Sequence, residues 1–258
     1  MLQDASEQPR VPVALDEVMV SIKCGESDPT SGLAACPATG QFVDRHVEAG
    51  GTVIFGETTE LTGGEHLIAA RCVDDDVRRR FLGFYERYVA FIQSTGADVF
   101  GSQPTEGNVR GGITTIEEKA MGNIAKTGTA PVVDALAPAQ SPRRPGLQFM
   151  DTPSASSECL TLMGAAGSVL HLFPTGQGNV IGNAIQPVVK ISANPETVAT
   201  MAEHIDLDVS GLLQLEYSLA DAGERLADVV AATINGRLTA TEVLGHREFD
   251  FTKLYRSA

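Results

Sequence analysis

Positive charge is scarce in this chain. Its 258 residues carry 19 Lys and Arg against 33 Asp and Glu, a formal net charge of −14. Nucleic-acid backbones and anionic membranes are gripped by clustered cations, so a general surface for either is excluded. The densest basic run, Arg78-Arg79-Arg80, follows Asp74-Asp75-Asp76. It reads as a solvated helical face whose charges complement the helix dipole. Cysteine is also sparse: Cys24, Cys36, Cys72 and Cys159 lie far apart, with no C-x-x-C. That spacing excludes a disulfide framework and fits a reduced, cytoplasmic setting. No stretch reaches the roughly 18 consecutive apolar residues of a membrane span. Residues 1–10 are polar and show no signal-peptide core, and no internal repeat is visible.

What is present is an ordinary apolar content with extra glycine. Hydrophobic residues make up 43% of the chain, and the 26 glycines are about 10%, against a usual value near 7%. Apolar runs alternate with helical patterns, the signature of a three-layer α/β fold: a largely parallel sheet flanked by helices. Strands are expected at 18–22, 52–55, 147–150, 168–173 and 187–192. Helices are expected at 33–49, at 64–94 with a break near Asp74, from Thr114 or Thr115 to about 125, and at 157–166, 195–204 and 215–234. Residues 1–17 read as a polar arm, 18–258 as one α/β domain, and 96–112 as a loop. The Pro-rich stretch 138–145 is a candidate internal boundary. In such sheets ligands bind beyond the carboxyl ends of the strands, so the turns after Ile22, Phe55, Met150 and Phe173 should face one crevice.

Four segments carry chemistry. Residues 22–32 place Lys23, Cys24, Glu26, Ser27, Asp28, Thr30 and Ser31 after an apolar run, a mixture suited to a small polar ligand. Cys24 is the most suggestive thiol, although no His neighbours it in sequence. Residues 56–66 gather Glu57, Glu60, Glu65 and His66. They could supply a divalent-metal site or acid/base chemistry, or simply an acidic, dipole-complementing helix start. Residues 107–119 offer Asn108, Arg110 and Thr114 beside a helix N-terminus, a ready carboxylate site; Arg110 could clamp the anion. Residues 174–183 hold Thr175, Gln177 and Asn179 between glycines. Their spacing is G-x-G-x-x-x-G and no helix follows at once, so this Rossmann-like chain is not expected to bind a dinucleotide.

These segments, in this order, resemble the altronate/galactarate dehydratase family, which also includes sulfolactate sulfo-lyase large subunits. The likeness runs from about Val18 to Phe251. Two local departures are Gly25-Glu26-Ser27-Asp28 for the family's Gly-Gly-Ser-Asp, and Ala35-Cys36-Pro37-Ala38 for Ala-Asn-Pro-Ala. The resemblance implies β-elimination from a hydroxy acid such as altronate or galactarate, giving a 2-keto-3-deoxy acid. Sulfite release from sulfolactate is the alternative, and a substrate-binding subunit that needs a partner is a third. It also implies dependence on a divalent metal, Fe2+ above all, with Mn2+ or Mg2+ as other choices. On that reading Lys23 is the base if desolvation lowers its pKa. Glu57, Glu60 and His66 serve metal ligation, with Glu57 and His66 also in acid chemistry. Ser27, Asp28, Ser31, Asn108, Arg110, Thr114, Thr175, Gln177 and Asn179 bind substrate. Family members carry further N-terminal regions, so a partner chain or domain and an oligomer are expected.

Overall fold

The computed structural model describes residues 7–9, 11–98 and 103–250. Seven parallel strands form one sheet in the order β3-β4-β2-β1-β5-β6-β7. They are β1 (Met19–Ile22), β2 (Thr52–Phe55), β3 (Val132–Leu136), β4 (Gly146–Met150), β5 (Leu170–Thr175), β6 (Val188–Ser192) and β7 (Leu207–Asp208). A parallel sheet with both faces covered calls for apolar residues throughout its strands. Every residue of β2, β4, β5 and β6 is accordingly buried. The register sets Val20 beside Val53 and Leu170, and Phe55 beside Phe149.

The helices are α1 (Cys36–Glu48), α2 (Glu65–Ala70), α3 (Asp75–Ser94), α4 (Glu106–Gly111), α5 (Ile116–Ala125), α6 (Ser156–Ala165), α7 (Pro195–Thr200), α8 (Leu219–Ile234) and α9 (Ala240–Val243). Side chains alternate across each strand. Val20, Val53, Phe55 and Phe149 meet Phe42 and Val43 of α1, Phe81 of α3 and Leu226 of α8 in the main core. Ile54 and Met150 point the other way, onto Leu162 and Met163 of α6. This is the three-layer α/β arrangement expected from the sequence. Among the described residues, no helix is long and apolar enough to cross a membrane.

The expected break in the 64–94 helix is real: Asp74 caps α3 by accepting from the Val77 N–H at 2.8 Å. Several elements depart from expectation, among them β7 and α9. The edge strand β3 carries Asp134 in its middle, which hides its period; that carboxylate pairs with Arg80 at 2.7 Å. Residues 106–111 are helical, with Thr105 as N-cap, inside the stretch read as a loop. The first helix is preceded by a π-helical turn, Ser31–Ala35. Residues 137–145 join β3 to β4 within the sheet. Parts of the expected arm (1–6 and 10) and of the expected loop (99–102), and residues 251–258, lie outside the described residues.

In this strand order the chain first builds outward from β1 through β2, then crosses to β5 on the other side of β1. The crevice opens at that switch point, over the ends of β1 and β5.

Candidate active site

Each polar turn begins where a strand runs out of neighbours to bond. Beyond β1, Lys23 N–H still donates to the Leu172 carbonyl and Gly25 N–H to the Pro174 carbonyl, at 3.1 and 3.2 Å. Lys23 and Cys24 are thereby fixed against β5. Beyond β2, the backbone kinks at Glu57, which has φ 63° and ψ 59°. The turn after β4 holds that kink. Glu57 N–H donates to Thr152 Oγ1 at 2.8 Å, Thr58 N–H to the Thr152 carbonyl at 3.0 Å, and Thr58 Oγ1 to Asp151 Oδ1 at 2.9 Å. A non-glycine residue in the left-handed region is strained, and such strain marks functional positions.

The kink drives the Glu57 carboxylate into the interior, where two lysines receive it. Lys23 Nζ donates to Oε1 at 2.9 Å, and Lys126 Nζ, from just beyond α5, to Oε2. The three side chains are 3%, 1% and 0% exposed for Lys23, Glu57 and Lys126. Burial opposes ionisation of Glu57, but Lys126 and Lys23 outweigh it and hold the carboxyl at about 2. Burial likewise opposes the Lys23 ammonium, yet Glu57, together with Cys159, Cys24 and Glu60, more than offsets it and the pKa is raised. Lys23 is therefore held as a cation, and the expectation that desolvation would make it a base does not fit this pairing.

Cys24 adjoins the same carboxylate. Its N–H donates to Glu57 Oε2 at 3.2 Å, its Sγ lies 3.8 Å from that oxygen, and Lys126 Nζ lies 3.3 Å from the sulfur. Cys36, at the first turn of α1, shares a hydrogen bond with the Cys24 thiol. Asn123 accepts from Lys126 through Oδ1, while its Nδ2 is buried with no partner.

Two cavities lie beside this cluster, with Ser27 and Lys119 in the walls of both. The smaller, about 140 Å³, is walled by Lys23, Cys24, Glu26, Glu60, Asn108 and Ser156, among others. The larger, about 320 Å³, has Cys36, Ser31 and Asn123 with apolar Leu33, Ile113 and Met121. Lys119 bonds Glu60 at 3.0 Å and Gln103 at 2.6 Å.

Of the residues expected to bind substrate, Ser27 and Asn108 reach the smaller cavity, and Asn108 also bonds the Ser27 carbonyl at 2.9 Å. Asp28 and Ser31 line the larger one, but Asp28 is occupied: it accepts from Thr30, Ser31 and Asn194. Gln177 braces the Ser27 and Gly107 carbonyls. Thr175 is buried with an unpartnered hydroxyl. Asn179 bonds Lys190 at 3.3 Å, away from both cavities. Arg110 and Thr114 are exposed, and Thr114 binds Glu118.

The metal expectation meets a different geometry. Glu57 is closed by two ammoniums, Glu60 by Lys119, and His66 is exposed on α2. Among the described residues, no three His, Cys, Asp or Glu side chains are arranged to hold a metal ion. The trio Glu57, Glu60 and His66 does not fit a divalent cation, and Glu57 is an ion-pair residue.

Lys126, Lys119 and Asn123 were missed in the sequence. A lysine just past a helix reads as a dipole-complementing surface cation, and nothing local reveals that it faces a carboxylate 69 residues away. Glu26 stands exposed in the left-handed region, at φ 50°. Glu26→Gly should raise stability by about 1 kcal/mol through relief of that conformation, read as a higher urea midpoint.

Residues 15–257 match the family model "D-galactarate/Altronate dehydratase, C-terminal". The chain is 56% identical to the (2R)-sulfolactate sulfo-lyase subunit beta of Chromohalobacter salexigens over 259 residues, covering all of this chain and 67% of that one. It is 31% identical to the galactarate dehydratase (L-threo-forming) of Escherichia coli over 236 residues, or 92% of this chain and 45% of the relative. It is 30% identical to the altronate dehydratase of the same organism over 244 residues, or 95% and 49%. It thus spans two thirds of one relative and about half of the other two. The chain belongs to the D-galactarate/altronate dehydratase family and corresponds to its C-terminal domain.

Proposed function

We propose that this chain is the C-terminal, site-bearing part of a lyase that cleaves the C3 substituent from a short 2-hydroxy acid, with sulfolactate as substrate and sulfite as leaving group. The observation that carries the reading is the 56% identity along the whole chain to a sulfolactate sulfo-lyase subunit, against 31% and 30% to the two sugar-acid dehydratases. The site is consistent with it. The smaller cavity presents Lys23 and Lys119 to an anion, with Asn108 and Ser27 beside them, and its size suits a three-carbon acid.

Elimination needs the proton beside the carboxylate removed, and the negative charge that then spreads onto the carboxylate oxygens stabilised. Lys23, kept charged by Glu57, supplies a fixed cation for that charge. Fixed charges in a water-poor site do this without reorganising. The same electronics serve water loss, so dehydration of a sugar acid is the second reading, favoured by the family model itself. The relative's designation as a subunit beta supports a further chain in the working enzyme.

The chain, alone and with a chain supplying the family's N-terminal regions, should be offered sulfolactate, altronate and galactarate while sulfite and 2-keto acid are followed. Sulfite and keto acid from sulfolactate in equal amounts is the expected result. Keto acid from a sugar acid only would establish the second reading, and no turnover of any acid with the partner present would overturn both.

A further inference from the structure

The buried cluster is unbalanced. Lys23 and Lys126 bring two ammoniums to one Glu57 carboxylate, all within a region 3% exposed or less. An uncompensated buried charge is strongly destabilising, so a second anion belongs here. Few groups can provide it. Among the titratable side chains of the smaller cavity, Lys23 is taken by Glu57, Glu60 and Lys119 pair with each other, and Glu26 stands exposed at the mouth. Cys24 remains, with its sulfur 3.3 Å from Lys126 Nζ.

Resting on the lyase reading above, we propose that the Cys24 sulfur, as a thiolate, is the base that takes the C2 proton of the hydroxy acid. The sulfur lone pair bonds the proton, and the C2–H electron pair becomes the C2=C3 bond. The C3–S bond breaks and its pair leaves on sulfite. The enol then loses its hydroxyl proton and gains one at C3, giving the 2-keto acid. Cys24 returns its proton to solvent and no oxidant or reductant is consumed.

The surroundings of the sulfur fit this work. Lys126 faces it from beyond α5, Cys36 from α1, Glu57 from the turn after β2, Lys23 from its own turn, and Glu60 from further out. The hydrogen bond from Cys36 favours the thiolate, burial and Glu57 oppose it, and Lys126 favours it. The balance lowers the thiol to about 7. A base is most effective when its pKa lies near the working pH. Thiolate, the reactive form of cysteine, is the species that neighbouring cations select. The unpartnered Asn123 Nδ2, on the side chain that accepts from the same Lys126, adds an unused donor in the wall of the larger cavity. Cys159, by contrast, is pushed up to about 12 by burial and by Glu57, and its Sγ shares a hydrogen bond with Thr152 Oγ1 at 3.3 Å.

The test follows both the thiol and the chemistry, in the full chain with its partner. Iodoacetamide labelling, resolved by peptide mass spectrometry with Cys72 as the internal reference, should show Cys24 half-reactive near pH 7 and at least tenfold protected by sulfolactate. Cys24→Ser should lower kcat about 10²- to 10⁴-fold and abolish exchange of the C2 proton with D2O, with KM little changed. Cys36→Ala should move the acid limb of the pH–rate profile upward, because the thiolate loses a hydrogen-bond donor. If the unmodified enzyme turns over and Cys24→Ser does so within threefold, Cys24 is not the base while the lyase reading stands. Failure of sulfolactate to protect Cys24 in the unmodified protein overturns the assignment even where the variant does not fold. If the unmodified enzyme eliminates nothing from any of the three acids, the lyase reading falls and the base assignment with it.

Discussion

Glu57→Gln is expected to destabilise the protein by about 3–5 kcal/mol, the usual result of removing one partner from a buried ion pair. The substitution keeps the shape of the side chain, so packing is not what changes. It leaves two ammoniums, on Lys23 and Lys126, facing a neutral amide at less than 4% exposure. Domains are stable by about 5–15 kcal/mol in total, so a large part of the margin is at stake. Acid should reproduce the loss in the unmodified protein. The Glu57 carboxyl sits at about 2 when folded, below its unfolded value near 4.3. Its contribution is therefore complete above the unfolded value and lost as the pH falls from there through about 2. Urea midpoints of both proteins between pH 7 and 3 would measure this. The variant should be weaker at neutral pH and should lack Glu57's share of the acid slope. Equal midpoints at pH 7 would mean that the two lysines find other partners.

Gly40→Ala is expected to cost about 1–3 kcal/mol by overpacking and to depress turnover beyond that loss. A methyl group at Gly40 would lie 2.3 Å from the Ala125 carbonyl oxygen and 2.9 Å from the Gly128 nitrogen. Both are backbone atoms, so no side chain can swing aside. The clash falls where α1 meets the end of α5, and Lys126 is the next residue along. Relief requires α5 to retreat, and with it the ammonium held against Glu57 and Cys24. Denaturant titration would give the stability, and turnover measured well below the melting temperature would separate displacement of Lys126 from unfolding. Unchanged activity per folded molecule would show that α1 moves instead.

The sheet was legible because its buried strands are short apolar runs closed by glycines or polar turns, as at 18–22 and 52–55. That the turns following them converge could also be read, since parallel strands all end on one side. Lys23, Glu57, Ser27 and Asn108 were picked out as chemically loaded and do reach one cluster or its cavity. Their roles were less legible. A carboxylate in a sequence looks the same whether a metal or an ammonium will neutralise it, and Glu57 is neutralised by Lys23 and by Lys126 from 69 residues away. Arg110 and Thr114 had suitable chemistry beside a helix start but are exposed to solvent, Arg110 within the short helix 106–111 and Thr114 beyond it. Polar residues inside a strand hide it, and so the Asp134 strand went unread.

The left-handed Glu57 has one further consequence. Its carboxylate is reached by Lys23 at the end of β1 and by Lys126 beyond α5, and its backbone is held by Thr152 after β4. Three distant stretches of chain thus close on a single residue, and the site has no half-built form. Any opening wide enough to separate two of them disperses the charges on which the chemistry depends. Catalytic competence and the integrity of the sheet should therefore disappear together, in one transition.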